Sequence, residues 1–266
     1  MTCVLILALA LQELAGNGLG ESTNNSSEHA FTLLLNIAET PRFSEQSPLK
    51  SEYYTFVSSL KDKQAKWKND HRTLEHLFYK VHQKYLKKYV PYQSFQALFD
   101  TGTYGCLTGT ALYAFLLDEL GYKYEIIETN YHMFLIVEVD DQRFLLESTD
   151  PFNGFEYIQD EINKRIAEAY LKNKIGGTHY TFSYDIYRSI SYTELIGLQY
   201  YNTAINAYNQ NNLSLSLYCL NEAFKFNKSE RIAELLILII NSVDNPPAIE
   251  KVISNFDELS GLIASN

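Results

Sequence analysis

Cysteine, histidine and tryptophan are scarce in this 266-residue chain, which has three cysteines, six histidines and one tryptophan. The three cysteines, Cys3, Cys106 and Cys219, are too few and too scattered to form a disulfide framework or a metal site. The histidines show no HExxH spacing and no pairing with cysteine. The sequence therefore predicts no metal site, and no motif in it requires a cofactor.

Positive charge is also in short supply, because 22 lysines and arginines stand against 32 acidic residues and give a formal net charge of −10. Nucleic-acid-binding surfaces are rich in basic residues, so this balance argues against nucleic acid as a partner. After the N-terminus, long hydrophobic runs are missing, and the apolar stretch from Leu235 to Ile240 is too short to cross a bilayer. We expect no membrane span.

The N-terminus resembles a secretory signal peptide followed by a linker, over residues 1–27. An apolar stretch, CVLILALA, precedes a polar segment from Gly16 to Ser27, but no lysine or arginine occurs before Arg42. Cys3 lies too early for a typical lipoprotein acceptor. The pattern predicts a secreted or periplasmic protein, and the alternative is a buried N-terminal helix of a cytoplasmic protein.

Hydrophobic residues make up 46% of the chain, enough for one large or two small domains with a real core. Residues 28–90 predict a layer of amphipathic helices, ended by Val90-Pro91. Lys80, Lys84, Lys87 and Lys88 are predicted to share one helix face. Such a face is usually solvated, and the alternative is a patch for an acidic partner.

The stretch from Thr103 to Gly154 carries the candidate chemistry. An apolar pattern at helical spacing starts directly after Cys106, and Gly121 is placed to end the helix. The free N–H groups and the helix dipole at a helix start favour an anion, and a thiolate is one. His132 is predicted to begin the second of three following strands, which are read as residues 124–128, 133–139 and 144–148.

Cys106, His132 and an acid at the end of the third strand supply the three roles of nucleophilic catalysis. The imidazole removes the proton from the thiol, and the acid holds the imidazole in the required tautomer. At these residues the chain resembles the transglutaminase-like superfamily, through GCLTGTALYAFLLDELGY, HMFLIVEV and FLLESTDP. The resemblance implies a papain-like α+β fold over residues 91–190, with a central helix on an antiparallel sheet, Cys106 as nucleophile and His132 as base.

Two acids remain open for the third role. A family strand that ends in an acid followed by small hydroxyl residues selects Glu147, whereas an Asp-Pro-Phe-Asn-Gly run in relatives with a helical-repeat tail selects Asp150. The strand alternation favours Glu147 slightly. The chain departs from the family in having Met133 after the histidine and no tryptophan on the third strand.

Such a site also requires a donor that stabilises an oxyanion, beside the N–H group of the cysteine. The upstream candidates are Gln93, Gln96 and Tyr104, and no pattern singles out one of them. The resemblance implies attack on a peptide or side-chain amide through a thioester, with hydrolysis by a cysteine protease or amidase favoured over cross-linking. The partner it implies is a protein or peptide substrate. The alternative function is a catalytically silent binding module of the same fold.

The last part of the chain, residues 191–266, predicts helices. The pattern first predicts a helix over residues 156–174 and a strand over residues 178–187, in which His179 is an ordinary strand residue. Residues 197–229 then resemble one tetratricopeptide repeat. The residues that carry this resemblance are Tyr201, Ala204, Tyr208, Asn211, Asn212, Ser216, Leu220 and Ala223. One repeat does not form an independent solenoid, so we expect a helical appendage packed on the core that offers a groove to a protein partner.

Overall fold

The computed structural model describes residues 23–37, 48–130, 132–175 and 186–242, together with residues 253, 254 and 259. Residues 1–22, which hold the apolar part of the predicted signal peptide, lie outside these ranges. So do His179 and all but the last two residues of the strand predicted over residues 178–187. The first described helix begins at Thr23, inside the segment predicted to be a linker.

The described residues form a mixture of helices and short strands, which confirms the predicted α+β class. The helices are α1 (Thr23–Asn36), α2 (Pro48–Trp67), α3 (Asp70–Lys84), α4 (Ala97–Asp100), α5 (Cys106–Leu120), α6 (Gln159–Ile175), α7 (Tyr192–Asn209), α8 (Leu213–Phe226) and α9 (Glu230–Asn241). The strands are β1 (Lys88–Tyr89), β2 (Thr103–Tyr104), β3 (Lys123–Thr129), β4 (Met133–Val139), β5 (Gln142–Leu146), β6 (Phe155–Glu156) and β7 (Tyr187–Ile190).

Five of these strands form one antiparallel sheet in the order β6-β5-β4-β3-β7. Successive side chains of a strand point to opposite faces, so each strand contributes to two packed layers. One face carries Ile126, Met133, Leu135, Val137, Phe144 and Leu146, which belong to the large core. The other face carries Ile127, Phe134, Ile136 and Leu145, which pack with Ile162 of α6.

Helix α5 is the centre of the large core. Its apolar residues lie on all sides, and residues 107–117 are all buried, which is expected of a helix enclosed by other elements. It packs on β3 and β4 and contacts α1, α2 and α7. Gly121 follows the helix with φ +76, the left-handed conformation that glycine adopts without steric cost. The predicted helix boundaries from Cys106 to Gly121 are thereby confirmed.

The predicted helical layer over residues 28–90 is confirmed in the part that the structure describes, residues 28–37 and 48–84, up to the end of α3 at Lys84. The rest of the prediction is wrong, because Lys88 and Tyr89 form β1, which pairs in parallel with β2. The backbone N–H groups of Lys87 and Lys88 both donate to the carbonyl of Gly102, at 2.9 and 3.1 Å. Lys87 and Lys88 therefore do not share a helix face with Lys84.

Near its C-terminus the chain forms the predicted helical hairpin from α7 and α8. Asn212 caps α8 by accepting a hydrogen bond from the N–H of Leu215 at 3.2 Å, and Ser216 donates to the carbonyl of Ala204 at 2.9 Å. The ideal Cβ position of Gly197 lies 2.5 Å from Cβ of Asn227, so only glycine permits this close approach. Within the described ranges, no helix is long and apolar enough to cross a membrane.

Candidate functional site

The start of α5, the end of β3, the start of β4 and the end of β5 lie together at one edge of the five-stranded sheet, where these strands begin or end. Helix α5 runs away from this edge, β3 returns to it, β4 leaves it again and β5 returns. The start of α5 therefore lies beside the loop between β3 and β4 and beside the residues that follow β5. Two hydrogen bonds hold these parts together: Thr110 donates to the carbonyl of Met133 at 3.4 Å, and Ser148 donates to the carbonyl of Cys106 at 3.4 Å.

The loop that carries His132 is closed by Thr129. The backbone N–H of Thr129 donates to the carbonyl of His132 at 2.9 Å, and the hydroxyl of Thr129 accepts from the N–H of His132 at 3.0 Å. Asn130 accepts a hydrogen bond from the N–H of Ile186 at 2.5 Å, which ties the loop to the chain that enters β7. Both Thr129 and Asn130 are buried. These bonds fix the backbone from which the imidazole projects.

His132 and Glu147 lie in contact. Nε2 of His132 is 2.9 Å from Oε1 of Glu147, and both side chains are 26% exposed. The same carboxylate accepts a hydrogen bond from Thr149 at 3.1 Å, and its other oxygen lies 3.8 Å from Arg165. The contact with His132 is the main cause that lowers the pKa of Glu147, against the opposing effect of burial. Glu147 is therefore held as a carboxylate, oriented toward the ring.

Asp150 has a different place in the structure. Its Oδ1 accepts hydrogen bonds from the backbone N–H groups of Phe152 and Asn153, at 3.1 and 2.9 Å, and so closes the turn after β5. Gly154 follows, and a Cβ there would lie 2.2 Å from the carbonyl oxygen of Glu147. Asp150 and Gly154 thus shape the backbone on which Glu147 is displayed.

Cys106 begins α5 and is partly exposed, whereas Cys219 is buried in α8. Burial raises the pKa of the Cys106 thiol, and the backbone N–H of Leu107 and the positive charge of Arg231 offset part of that effect. The backbone N–H groups at the helix start favour the thiolate, as the sequence predicts, but the loss of hydration on burial outweighs their effect. Burial is the main cause that raises the pKa of Tyr89 to about 12, and the negative charge of a Cys106 thiolate adds to this effect.

A cleft of about 520 Å³ opens beside the histidine and the acid. Residues of β4, β5 and α6 form its walls, and Arg165 and Glu168 supply charges of opposite sign. The residues that line it are Thr129, His132, Phe134, Leu145, Glu147, Thr149, Asp150, Arg165, Glu168 and Ala169. This volume lies within the usual range of ligand-binding pockets.

The structure brings His132 and Glu147 together on the α6 side of the sheet edge. Cys106 instead packs against the large core on the α5 side. The two sides are joined by Ser148, which follows Glu147 and donates to the carbonyl of Cys106. The nitrogen of His132 that faces Glu147 is Nε2, so Nδ1 is the ring nitrogen on the other side from the carboxylate.

The three oxyanion candidates occupy different positions. Gln93 accepts a hydrogen bond from Thr103 at 3.5 Å, and its backbone N lies 3.7 Å from the ideal Cβ position of Gly105, directly before Cys106. Gln96 turns to Asp100, to which it donates at 3.0 Å. Tyr104 is buried in β2, and this burial raises its pKa. Gln93 is thus placed in the chain segment that contacts the cysteine loop.

Sequence reasoning missed Arg165, which faces Glu147, and Arg231, which approaches Cys106 from α9. Both lie in predicted helices, and no spacing or neighbour in the sequence distinguishes them from ordinary surface arginines. Among the residues that the structure describes, no group of three histidine, cysteine or acidic side chains is placed to hold a metal ion.

No protein-family model, curated protein or solved structure matches this chain.

Proposed function

We propose that the protein is a cysteine enzyme of the transglutaminase-like type that acts on peptide or side-chain amide bonds, with hydrolysis favoured over amine transfer. The observation that carries the proposal is the contact between His132 and Glu147 at the sheet edge where α5 begins with Cys106. A carboxylate on one ring nitrogen leaves the other nitrogen available to a nucleophile, which is the division of roles in a cysteine–histidine–acid triad.

In the proposed reaction, Nδ1 of His132 takes the proton of the Cys106 thiol, and the sulfur attacks the amide carbonyl. The carbon–nitrogen bond breaks, the imidazolium gives its proton to the leaving amine, and a thioester remains. Water then attacks the thioester with His132 as base, which releases a carboxylic acid and restores the thiol. Glu147 stabilises the imidazolium in both steps.

An oxyanion forms in each step and requires donors in place before the reaction. The N–H of Cys106 at the start of α5 is one donor in this proposal. Gln93 is the second, because its segment lies against Gly105, whereas Gln96 is engaged with Asp100 and Tyr104 is buried. The cleft beside His132 and Glu147 takes the substrate chain, with Arg165 and Glu168 at its wall.

The test is the rate at which iodoacetamide alkylates Cys106 as a function of pH, read by peptide mass spectrometry. An ion pair with His132 keeps Cys106 reactive at about pH 6, well below the usual thiol pKa. We expect His132→Ala to abolish this reactivity at low pH. Cys219 is the internal control, since it is buried and burial raises its pKa to about 12.

Activity is tested with a mixed peptide library incubated with the wild type and with Cys106→Ser. Cleaved peptides that depend on Cys106 support a protease, and conversion of glutamine to glutamate supports an amidase. Addition of a primary amine to glutamine supports transfer over hydrolysis.

The alternative is a catalytically silent binding module whose helical tail engages a protein partner. The observation that favours it is that burial raises the pKa of Cys106, which keeps an unassisted thiol protonated. Slow alkylation of Cys106 that matches Cys219 and does not change in His132→Ala would support this alternative.

A further inference from the structure

Glu128, the penultimate residue of β3, is a buried carboxylate held by two arginines. It is 2% exposed, with Oε2 lying 2.9 Å from Arg188 and Oε1 lying 3.3 Å from Arg231. A charge removed from water in this way requires partners that replace its hydration. Arg188 comes from β7, and Arg231 comes from the first turn of α9, so the carboxylate links the sheet to the helices near the C-terminus.

Arg231 also contacts the loop that carries His132. Its Nη2 donates to the carbonyl of Thr129 at 2.9 Å and to the carbonyl of Asn130 at 3.1 Å. Thr129 lies three positions and Asn130 two positions before His132, and Thr129 makes the bonds that close the loop. One guanidinium therefore spans the end of β3 and the loop backbone.

The same guanidinium acts on the other half of the site, because its positive charge favours the thiolate of Cys106 and offsets part of the effect of burial on the pKa of the thiol. Its side chain is 12% exposed, so solvent screens this charge only weakly. The face of the ring of Tyr201, in α7, lies 5.7 Å from the guanidinium and holds it from the side of the helical hairpin.

We infer that Arg231 is a positioning residue of the active site, which sets the loop of His132 against Cys106 and makes the C-terminal helices part of the catalytic unit. The inference rests on the proposed function, since it concerns the same thiol and imidazole. It revises the expectation that residues 191–266 are an appendage. A lysine cannot replace this arginine, because a single ammonium nitrogen cannot span a carboxylate and two carbonyls as the planar guanidinium does.

The test compares Arg231→Gln and Arg231→Lys with the wild type, by the pH profile of Cys106 alkylation with iodoacetamide. We expect both variants to move the profile to higher pH and to slow alkylation near neutrality by about tenfold, the effect of a one-unit rise in the apparent thiol pKa. Full recovery in Arg231→Lys would overturn the inference, because charge alone would then suffice. An unchanged profile in Arg231→Gln would overturn it as well.

The matched control is Arg188→Gln, which removes a partner of the same carboxylate but leaves the contacts of Arg231 with Thr129 and Asn130 in place. It is expected to lower stability while keeping the wild-type profile. Circular dichroism and thermal unfolding show whether each variant is folded. Where Arg231→Gln fails to fold, Arg231→Lys, which keeps a positive charge toward Glu128, gives the decisive profile.

A double-mutant cycle with His132→Ala separates the inference from the proposed function. If Arg231 acts through the loop, Arg231→Gln has a smaller effect in the His132→Ala background than in the wild type, and what remains is the direct effect of its charge on the thiolate. Fully additive effects would overturn the positioning role. The proposed function itself fails if His132→Ala alone has the same pH profile of Cys106 alkylation as the wild type.

Discussion

Ser148 occupies the space directly against Gly109, since a Cβ on Gly109 would lie 2.7 Å from both Cβ and Oγ of Ser148. Helix α5 therefore approaches the end of β5 more closely than any residue with a side chain at position 109 would permit. The approach allows Ser148 to donate to the carbonyl of Cys106 and places Glu147 one residue away. The small size of Gly109 thus sets the spacing between the cysteine helix and the strand that presents the acid.

Gly109→Ala is expected to lower stability by about 1–3 kcal/mol, the range seen when a close-packed site receives an extra methyl group. The added methyl group must push α5 away from the end of β5, so alkylation of Cys106 near pH 6 is expected to slow as well. Urea unfolding and the alkylation rate measure the two effects.

Ser148→Gly supplies the control for this prediction, because removing the side chain makes room for the new methyl group. The double variant Gly109→Ala with Ser148→Gly is expected to recover part of the stability that Gly109→Ala loses. No recovery would show that the alanine is harmful for a reason other than the contact with Ser148.

Glu147→Gln and Asp150→Asn are expected to differ in their effect on Cys106. The first removes the charge 2.9 Å from His132, so the imidazolium loses the carboxylate that stabilises it and alkylation near pH 6 is expected to slow by about tenfold. The second retains an oxygen that accepts from Phe152 and Asn153 and leaves the rate close to that of the wild type. Equal losses in the two variants would contradict the assignment of Glu147 as the acid.

Asp150→Ala, in contrast to Asp150→Asn, removes the acceptor that closes the turn before Gly154. The expected cost is about 1 kcal/mol for hydrogen bonds of this kind. Thermal unfolding measures this cost. If Cys106 is still alkylated at the wild-type rate in the same variant, the role of Asp150 is to close the turn and not to assist the thiol.

His82 predicts a pH dependence of stability. The side chain is 9% exposed against Phe78, Tyr104 and Tyr113, and neither ring nitrogen has a hydrogen-bond partner among the described residues. Burial lowers the pKa of His82 to about 4, against the opposing charge of Asp150. The unfolded chain, with an ordinary histidine pKa of about 6.5, binds the proton more readily, so stability is lost as pH falls from about 6.5 to about 4.

The loss attributable to His82 is up to about 3 kcal/mol, and His82→Phe is expected to remove it. Urea unfolding between about pH 7 and about pH 4.5 measures the slope of the free energy of unfolding against pH for each protein. The same slope in the wild type and in His82→Phe would show that other groups cause the acid sensitivity.

The local structure of this chain follows from its sequence. The apolar spacing after Cys106, the glycine at position 121 and the β-branched strands predict α5, β3 and β4 closely, because hydrophobic periodicity and glycine act over a few residues. The turn at Asn211-Asn212 and the small residues Ala204 and Ser216 predict the hairpin of α7 and α8. The sequence did not predict that α3 ends at Lys84 and that a strand follows, because the pairing of Lys88 and Tyr89 with β2 depends on residues distant in the chain.

The sequence also determined which residues the proposed chemistry would use, namely one cysteine at a helix start, one histidine before a strand and two acids after the next strand. Tertiary structure alone decided that Glu147 lies against His132 while Asp150 closes a turn, because both residues follow the end of β5 and the turn, not the strand period, sets their directions. It also decided that Arg231 of α9 reaches the loop before His132. A charge two helices beyond the sheet has no local signature, and only packing carries it to Glu128 and the carbonyls of Thr129 and Asn130.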